Sequence, residues 1–194
     1  VHTFDSPDRL KQRAAYLRAE KRAWQLQGDE LLETVKELGD YPLIPYLIER
    51  KLSDRLSLSD TEQVRAFLTR YADTPLAHKV RRNWLNYLVK RNESDLFLEF
   101  YETSSNATLS CSYIDFRIKA GENPERFYDE IAQLWTVGTS QPKECDGIFS
   151  AWIKAGQLSE DLVLQRIQKA ADGGSHTLIP YLQTLLPRNK HYLA

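Results

Sequence analysis

The sequence predicts an all-α chain, built as a right-handed superhelical solenoid of about eleven helices that stack as antiparallel, tetratricopeptide-like hairpins. Two observations favour this class. Glycines follow helical stretches at regular intervals in the second half of the chain, and apolar residues recur at helical spacing between them. No run shows the sustained alternation and hairpin turns that strands require. A sheet is therefore not expected.

The regular glycines are the clearest sign of a repeat. Gly121, Gly138, Gly156 and Gly173 follow one another at near-constant spacing. Glycine just past a helix end adopts left-handed backbone without a Cβ clash, so each is interpreted as a helix stop. One helix with its turn then takes about 17 residues and a hairpin about 35, close to the roughly 34-residue tetratricopeptide period.

Helix starts agree with these stops. Asn123, Ser159 and Thr74 are predicted N-caps, because Pro124 and Pro75 follow two of them and acidic residues follow the third. The pentapeptide LIPYL occurs at 43–47 and 178–182, where the proline fits a first helical turn. The predicted helices cover residues 7–27, 30–38, 43–53, 60–72, 75–91, 94–103, 110–120, 124–137, 143–155, 160–172 and 177–186.

The amino-acid composition limits which binding partners are expected. Hydrophobic residues make up 42% of the 194 residues, enough for a continuous core, and residues 1–194 are expected to form a single helical segment. Charged residues of both signs are interspersed, with a formal net charge of −1, so neither nucleic acid nor an anionic membrane is expected as partner. No stretch is long and apolar enough for a membrane span. The first residue, Val1, is expected of an exported chain after signal removal or of a shortened chain.

Candidate chemistry is sparse. Two pairs of acidic residues have helical spacing, Glu99 with Glu102 and Glu125 with Asp129, and both are interpreted as solvated helix surface rather than a glycosidase pair. The histidines have no metal-ligand spacing, so no metal and no cofactor are expected; they are His2, His78, His176 and His191. The densest basic cluster is residues 78–82, beside Trp84, and is interpreted as a solvated face that could also meet phosphate or carboxylate groups. The sequons at Asn92 and Asn106 matter only in a eukaryotic secretory pathway, which nothing here indicates.

The two cysteines are more informative. Cys111 and Cys145 are separated by one hairpin period, and each lies near the start of a predicted helix. Alternate helices of a solenoid pack side by side, so the thiols are expected to be neighbours. They form a disulfide if the compartment is oxidising, and two buried reduced thiols otherwise.

Three stretches resemble the large soluble lytic murein transglycosylases of Gram-negative bacteria. They are DYPLIPYLIERKL at 40–52, VRAFLTRYADTPLAHKVRRNWLNYLVKRNESDLFLEFY at 64–101 and LWTVGTSQPKECDGIFSAWIKAGQ at 134–157. The resemblance implies the N-terminal superhelical U-domain of a periplasmic enzyme, exported and freed of its signal peptide. It also implies that Cys111 and Cys145 form a disulfide.

The resemblance further implies that the lysozyme-like catalytic domain is absent. In the family, the catalytic glutamate lies in a Glu-Ser pair, followed by a Gly-Leu-Met-Gln motif, and this chain contains no Met. No catalytic residue is therefore assigned. The expected partners are peptidoglycan glycan strands and the rest of a transglycosylase chain, with the glycan-contacting residues unidentified. The alternative is a periplasmic tetratricopeptide-like adaptor that binds proteins through its groove.

Overall fold

A computed structural model describes residues 6–26 and 28–188, and within them all regular structure is helical. This confirms the predicted all-α class and the predicted number of helices for the described part of the chain. The α-helices are α1 (Pro7–Lys21), α2 (Gly28–Leu38), α3 (Ile44–Asp54), α4 (Thr61–Arg70), α5 (Pro75–Arg91), α6 (Ser94–Phe100), α7 (Ala107–Lys119), α8 (Tyr128–Trp135), α9 (Asp146–Lys154), α10 (Glu160–Asp172) and α11 (Ile179–Gln183).

The helices contact their neighbours in the pattern expected of stacked hairpins. Consecutive helices touch, as α4 touches α5 and α8 touches α9, and alternate helices touch as well, as α1 touches α3, α3 touches α5 and α7 touches α9. Each of these helices thus buries its apolar stripe against more than one neighbour, which a lone hairpin cannot do. Contacts divide the chain into two compact units, Val1–Asn92 and Glu93–Ala194. That residues 1–194 form a single segment stays a prediction.

The first unit contains an apolar cluster and a buried ion pair. The cluster joins α1, α2 and α3, with Leu38 and Leu47 completely buried. Lys51 of α3 places its Nζ atom 2.9 Å from Oδ1 of Asp60, and both side chains are less than a tenth exposed. Asp60 also accepts a hydrogen bond from the main-chain N–H of Ser57 at 2.8 Å. The buried carboxylate is therefore paired and hydrogen-bonded, as a buried charge must be.

The second unit is organised around tryptophans and the cysteines. Trp135 of α8 and Trp152 of α9 are buried, with ring centroids 6.0 Å apart. Cys111, Cys145 and Ile114 are buried beside them in one cluster that reaches Leu182 of α11. The helices α7 to α11 thus share one core.

The predicted caps are confirmed. The side chains of Thr74 and Ser159 accept hydrogen bonds at 3.2 Å from the N–H groups of Ala77 and Leu162, respectively. Asn123 accepts from Glu125 N at 3.1 Å, although the turn it opens, Pro124–Phe127, is a 3₁₀-helix that leads into α8. Side-chain oxygens supply partners for N–H groups that the first turn leaves unpaired.

Both copies of LIPYL begin a helix in the same way. Pro45 and Pro180 each occupy the first turn of their helix, α3 and α11, as predicted. The leucine that closes each copy, Leu47 or Leu182, is completely buried, whereas Tyr46 and Tyr181 are about half exposed. The proline thus sets the start of the helix, and the leucine anchors that start to the core.

Of the predicted glycine stops, Gly138 is wrong, and Gly173 follows the end of α10 without the left-handed conformation. Gly121 and Gly156 have φ values of 102° and 76° and end their helices as expected. Gly173 has φ −82°, and the left-handed residue is its neighbour Gly174 at 77°. Gly138 has no positive φ either; instead its missing Cβ lets the backbone approach α10, since a Cβ there would lie 2.4 Å from the carbonyl oxygen of Lys169.

Some helix boundaries also differ from prediction. The first helix ends at Lys21 and continues as a 3₁₀ turn, Ala23–Gln25, and the predicted end at 27 lies outside the described residues. The sixth helix ends at Phe100 rather than 103. The seventh begins at Ala107 rather than 110, because Asn106 caps it by accepting a hydrogen bond from Leu109 N. Because the Asn106 side chain can bond to the backbone, it caps α7 and the helix begins before the predicted residue.

Candidate functional site

An open groove is a prominent concave feature of the second unit. Its volume is about 1280 Å³, and it is bounded by the end of α6, the 101–106 loop, α7, α8 and the turn after α8. Most of the side chains that line it can form hydrogen bonds. They are Tyr101, Glu102, Thr103, Ser104, Ser105, Ser110, Tyr113, Arg117, Glu130, Gln133 and Gln141. This lining suits a polar ligand better than an apolar one.

Stacked aromatic rings form one wall of the groove. The Tyr101 and Tyr113 rings stack with centroids 4.2 Å apart and an interplanar angle of 14°. Behind them, Phe97 stacks on Tyr101 at 5.5 Å and meets Phe116 edge-on at 5.2 Å. Phe97 and Phe116 are buried, so they anchor the tyrosines to the core.

Arg117 holds Tyr113 in place. Its guanidinium lies over the Tyr113 ring at 5.2 Å, donates a hydrogen bond to the Tyr113 hydroxyl and binds both oxygens of Glu122. The hydrogen bond from Arg117 to Glu122 raises the pKa of Arg117 above its ordinary value, and the same contact lowers the pKa of Glu122. Arg126 adds a second cation 3.1 Å from Glu122 Oε1. Tyr101 and Arg117 thus occupy the faces of the Tyr113 ring, and this tyrosine serves as a packed wall rather than as a free stacking platform.

The loop that closes the groove is held by local hydrogen bonds. Ser110 Oγ donates to the carbonyl of Ser104 at 2.9 Å, and Ser104 Oγ accepts from Asn106 N at 3.0 Å. On the opposite side, Gln141 Nε2 donates to the carbonyl of Leu134 at 2.6 Å. The polar lining therefore has defined positions before any ligand binds, which reduces the entropy cost of binding.

A disulfide joins the helix beneath the groove to the turn beside it. Cys111 of α7 and Cys145 of the 3₁₀ turn Lys143–Cys145 have an S–S distance of 2.03 Å and a Cα–Cα distance of 5.0 Å. Both cysteines are completely buried. The pairing that the spacing allows and the resemblance implies is thus present in the structure. It ties α7, which carries Tyr113 and Arg117, to the segment just after Gln141.

The carboxyl pairs considered from the sequence do not form a dry cleft. Glu99, Glu102, Glu125 and Asp129 are all exposed to solvent. Glu102 lines the groove and so does Glu130, which is also exposed. A general acid that stays protonated near neutral pH needs an apolar environment, which none of these side chains has.

The remaining candidates are dispersed. His78 and His176 are exposed, and His2 and His191 lie outside the described residues. No cluster of His, Cys, Asp and Glu in the described residues could hold a metal ion. Among the described helices, none has the length and apolar character that crossing a membrane requires.

The basic cluster beside Trp84 is part of an ordinary helix surface. Lys79 pairs with Glu49 at 2.7 Å, while His78 and Arg82 are exposed to solvent. Trp84 is completely buried, so its ring is not available beside these cations for a ligand. The solvated-face interpretation therefore describes this cluster best.

The groove wall was not found from the sequence. Tyr113 and Arg117 lie one helical turn apart on α7, so their contact was open to prediction from spacing. Tyr101 lies on another element, and only the packing of α6 on α7 brings the two tyrosine rings together. Spacing along one helix carries no signal for such a contact.

Known proteins resemble the whole chain. No protein-family model matches it. It is 29% identical over 196 residues to the soluble lytic murein transglycosylase of Escherichia coli K12, covering 100% of this chain and 30% of that protein. The counterpart from Salmonella typhimurium LT2 is 29% identical over 192 residues, covering 98% of this chain and 29% of that protein.

Solved structures agree with these relatives. The 70-kDa soluble lytic transglycosylase in complex with bulgecin A has a TM-score of 0.78 at 28% identity, covering 97% of this chain and 30% of that one. An inactive mutant of the lytic transglycosylase Slt from Pseudomonas aeruginosa has a TM-score of 0.72 at 31% identity, covering 90% of this chain and 28% of that one.

In fold and in sequence, the chain is thus similar to one segment of the lytic transglycosylases. The sequence matches are to soluble lytic murein transglycosylases, and they cover nearly all of this chain. It spans about 30% of the length of the curated relatives it matches.

Proposed function

We propose that this chain is a non-catalytic helical scaffold segment of a periplasmic soluble lytic murein transglycosylase. The intact enzyme would cleave the MurNAc–GlcNAc β-1,4 bond of peptidoglycan by intramolecular transfer, giving 1,6-anhydro products in cell-wall turnover. The chain's own contribution is to hold glycan strands beside the distant catalytic domain. It binds them in the groove between α6, α7 and α8.

The observation that carries this proposal is the polar, preorganised lining of the groove. Glycan strands present hydroxyl and N-acetyl groups along their length, and these groups need hydrogen-bond donors and acceptors at defined positions. Glu102, Gln133 and Gln141 supply both kinds, on a wall that the tyrosine stack and the disulfide hold in place. An extended open groove also suits a polymer better than a closed pocket does.

Binding to insoluble peptidoglycan tests the proposal. The double variant Glu102→Ala/Gln133→Ala removes an acid and an amide from the groove. At about 0.5–1.5 kcal/mol for each of the two lost hydrogen bonds, co-sedimentation affinity should fall roughly 5- to 150-fold. The matched control is Asp161→Ala/Gln165→Ala, which removes an acid and an amide that bond each other at 2.7 Å on the exposed face of α10.

The control should bind like the native chain. Equal binding by both double variants would show that this groove does not bind glycan. Release of 1,6-anhydro products by the purified chain alone would contradict the non-catalytic assignment.

A second candidate function is a periplasmic protein-binding adaptor. One observation favours it: Leu10 and Leu17 are 53% and 47% exposed and lie two turns apart on the same face of α1. Replacement of both by Glu should abolish cross-linking to a protein partner in periplasmic extract if this function holds, and should leave peptidoglycan binding unchanged.

A further inference from the structure

A buried arginine without a carboxylate partner lies at the bottom of a second pocket on this unit. Arg166 of α10 is 5% exposed. Among the described residues it forms no ion pair; its Nη2 donates one hydrogen bond, to the carbonyl of Thr139 at 3.1 Å, and its guanidinium lies over the Trp135 ring at 4.6 Å. Its buried Nε has no hydrogen-bond partner within the described part of the chain.

This arrangement is unusual in energetic terms. A guanidinium carries five N–H donors, and an arginine is almost never fully buried unless it is paired. A cation loses its hydration when it is buried. Hydrogen bonds and a nearby opposite charge are what compensate for that loss. Burial accordingly lowers the pKa of Arg166, and the nearby Tyr181 phenol opposes this lowering. The described residues therefore leave Arg166 short of an anionic partner.

The pocket above Arg166 has room for such a partner. Its volume is about 480 Å³, and its lining combines Trp135 and Phe149 with the polar groups of Ser140, Ser150 and Tyr181. Asp146 also lines the pocket, is exposed to solvent and forms no ion pair with Arg166. The pocket therefore offers a buried cation, two buried aromatic rings and several hydroxyl groups to one ligand.

The pocket adjoins the glycan groove. Gln141 lines both cavities, and its side chain is fixed by the hydrogen bond to Leu134. A polar polymer that lies in the groove and carries a short branch could therefore place the end of that branch in the pocket. Peptidoglycan has this form, because its sugar strands carry short peptides that end in a carboxylate.

We propose that the Arg166 pocket binds the C-terminal carboxylate of a short peptide, the peptide branch of the strand held in the groove. This inference rests on the proposed function for the identity of the ligand. The carboxylate accepts hydrogen bonds from the guanidinium, which prefers paired oxygens in its own plane. The methyl side chain of a terminal alanine packs against Trp135 and Phe149, and the Tyr181 hydroxyl closes the rim.

Titration of the full chain with two sugar-free peptides tests the pocket independently of the groove. Acetyl-Lys-D-Ala-D-Ala with a free carboxylate should bind, whereas the same peptide with a C-terminal amide should bind at least 10-fold more weakly. This comparison uses only the native chain, so its result does not depend on whether a variant folds. Equal binding of the acid and the amide, or no binding of either, would overturn the proposal.

Variants then locate the binding. Arg166→Met should reduce affinity for the acid at least 10-fold and leave affinity for the amide unchanged, while Arg166→Lys should retain part of the preference for the acid. Tyr181→Phe, at an exposed position, should weaken binding of the acid several-fold without affecting the fold. An undiminished preference for the acid in folded Arg166→Met would place the site elsewhere and overturn the assignment.

The two proposals fail separately. The groove variant Glu102→Ala/Gln133→Ala should bind the peptide acid normally, and Arg166→Met should still bind glycan strands from which the peptides have been removed. If the native chain binds the peptide acid but not the glycan strands, the proposed function is contradicted and the peptide-binding assignment of the pocket stands. The reverse pattern would contradict the pocket alone.

Discussion

Gly138 lies directly against the main chain of Lys169. A Cβ atom on Gly138 would be 2.4 Å from the Lys169 carbonyl oxygen and 2.7 Å from its carbonyl carbon. The Lys169 side chain returns across the same contact and donates a hydrogen bond to the Thr136 carbonyl at 2.9 Å. The turn after α8 and the last turns of α10 are thus in backbone contact, and only glycine allows it.

Replacement of Gly138 by Ala should therefore destabilise the chain. Backbone cannot move aside as a flexible side chain can, so we expect a loss of about 1–3 kcal/mol in the free energy of unfolding, measured by urea denaturation. The matched control is Gly147→Ala in α9, where a Cβ would meet nothing within 4 Å. It should be neutral or stabilising by roughly 0.5–1 kcal/mol. Equal effects of the two substitutions would show that the close approach is not required.

The disulfide should contribute strongly to stability. Reduction, or the double variant Cys111→Ala/Cys145→Ala, releases a loop of about 35 residues and should lower the free energy of unfolding by about 3–4 kcal/mol in the chain-entropy account. Denaturation with and without reductant measures this, and the double variant should not respond to reductant. A native chain whose thiols become reactive without a change in its unfolding midpoint would contradict the prediction.

The buried pair of Lys51 and Asp60 should be costly to break. Asp60→Ala leaves the Lys51 ammonium buried without its partner and removes the acceptor of Ser57 N, so we expect a loss of about 3–5 kcal/mol by denaturant unfolding. The control is Glu37→Ala, which removes the partner of Arg18 at 3.8 Å in a pair whose side chains are 65% and 70% exposed, respectively. Its effect should be about 0–1 kcal/mol. A similar cost for both would mean that burial does not decide the strength of these pairs.

Stability should fall in acid through Glu122. The contact with Arg117 lowers the pKa of Glu122 below its ordinary value of 4.5, so its stabilising contribution is complete above that value. It is lost as the pH falls through the lower folded-state pKa. The difference in unfolding free energy between the native chain and Glu122→Gln should therefore be constant near neutrality and shrink below pH 4.5. A difference that stays constant far into the acid range would contradict this assignment.

Local signals predicted the helices well. The capping residues Thr74 and Ser159 act within three residues of their own position, and both hydrogen bonds are present. The prolines of the two LIPYL segments likewise begin helices where the sequence places them. Such features depend on backbone groups that are close in the chain, so the chain itself contains the information.

Features that depend on a distant partner were misjudged or missed. Gly138 has the spacing of a helix stop, but its role is set by Lys169, which lies two helices further along the chain. Arg166 resembles any cation on an amphipathic helix, and only packing against Trp135 and Thr139 buries it.

The sequence by itself determined the all-α class, the helix order and the resemblance to the lytic transglycosylases, because helical periodicity, caps and stretches of similar sequence are properties of neighbouring residues. The sequence also predicted that the two cysteines are neighbours, since their separation equals one hairpin period. The tertiary structure alone decided the groove, the tyrosine wall and the buried guanidinium. These depend on which helix faces meet, and packing complementarity is settled between side chains far apart in the chain.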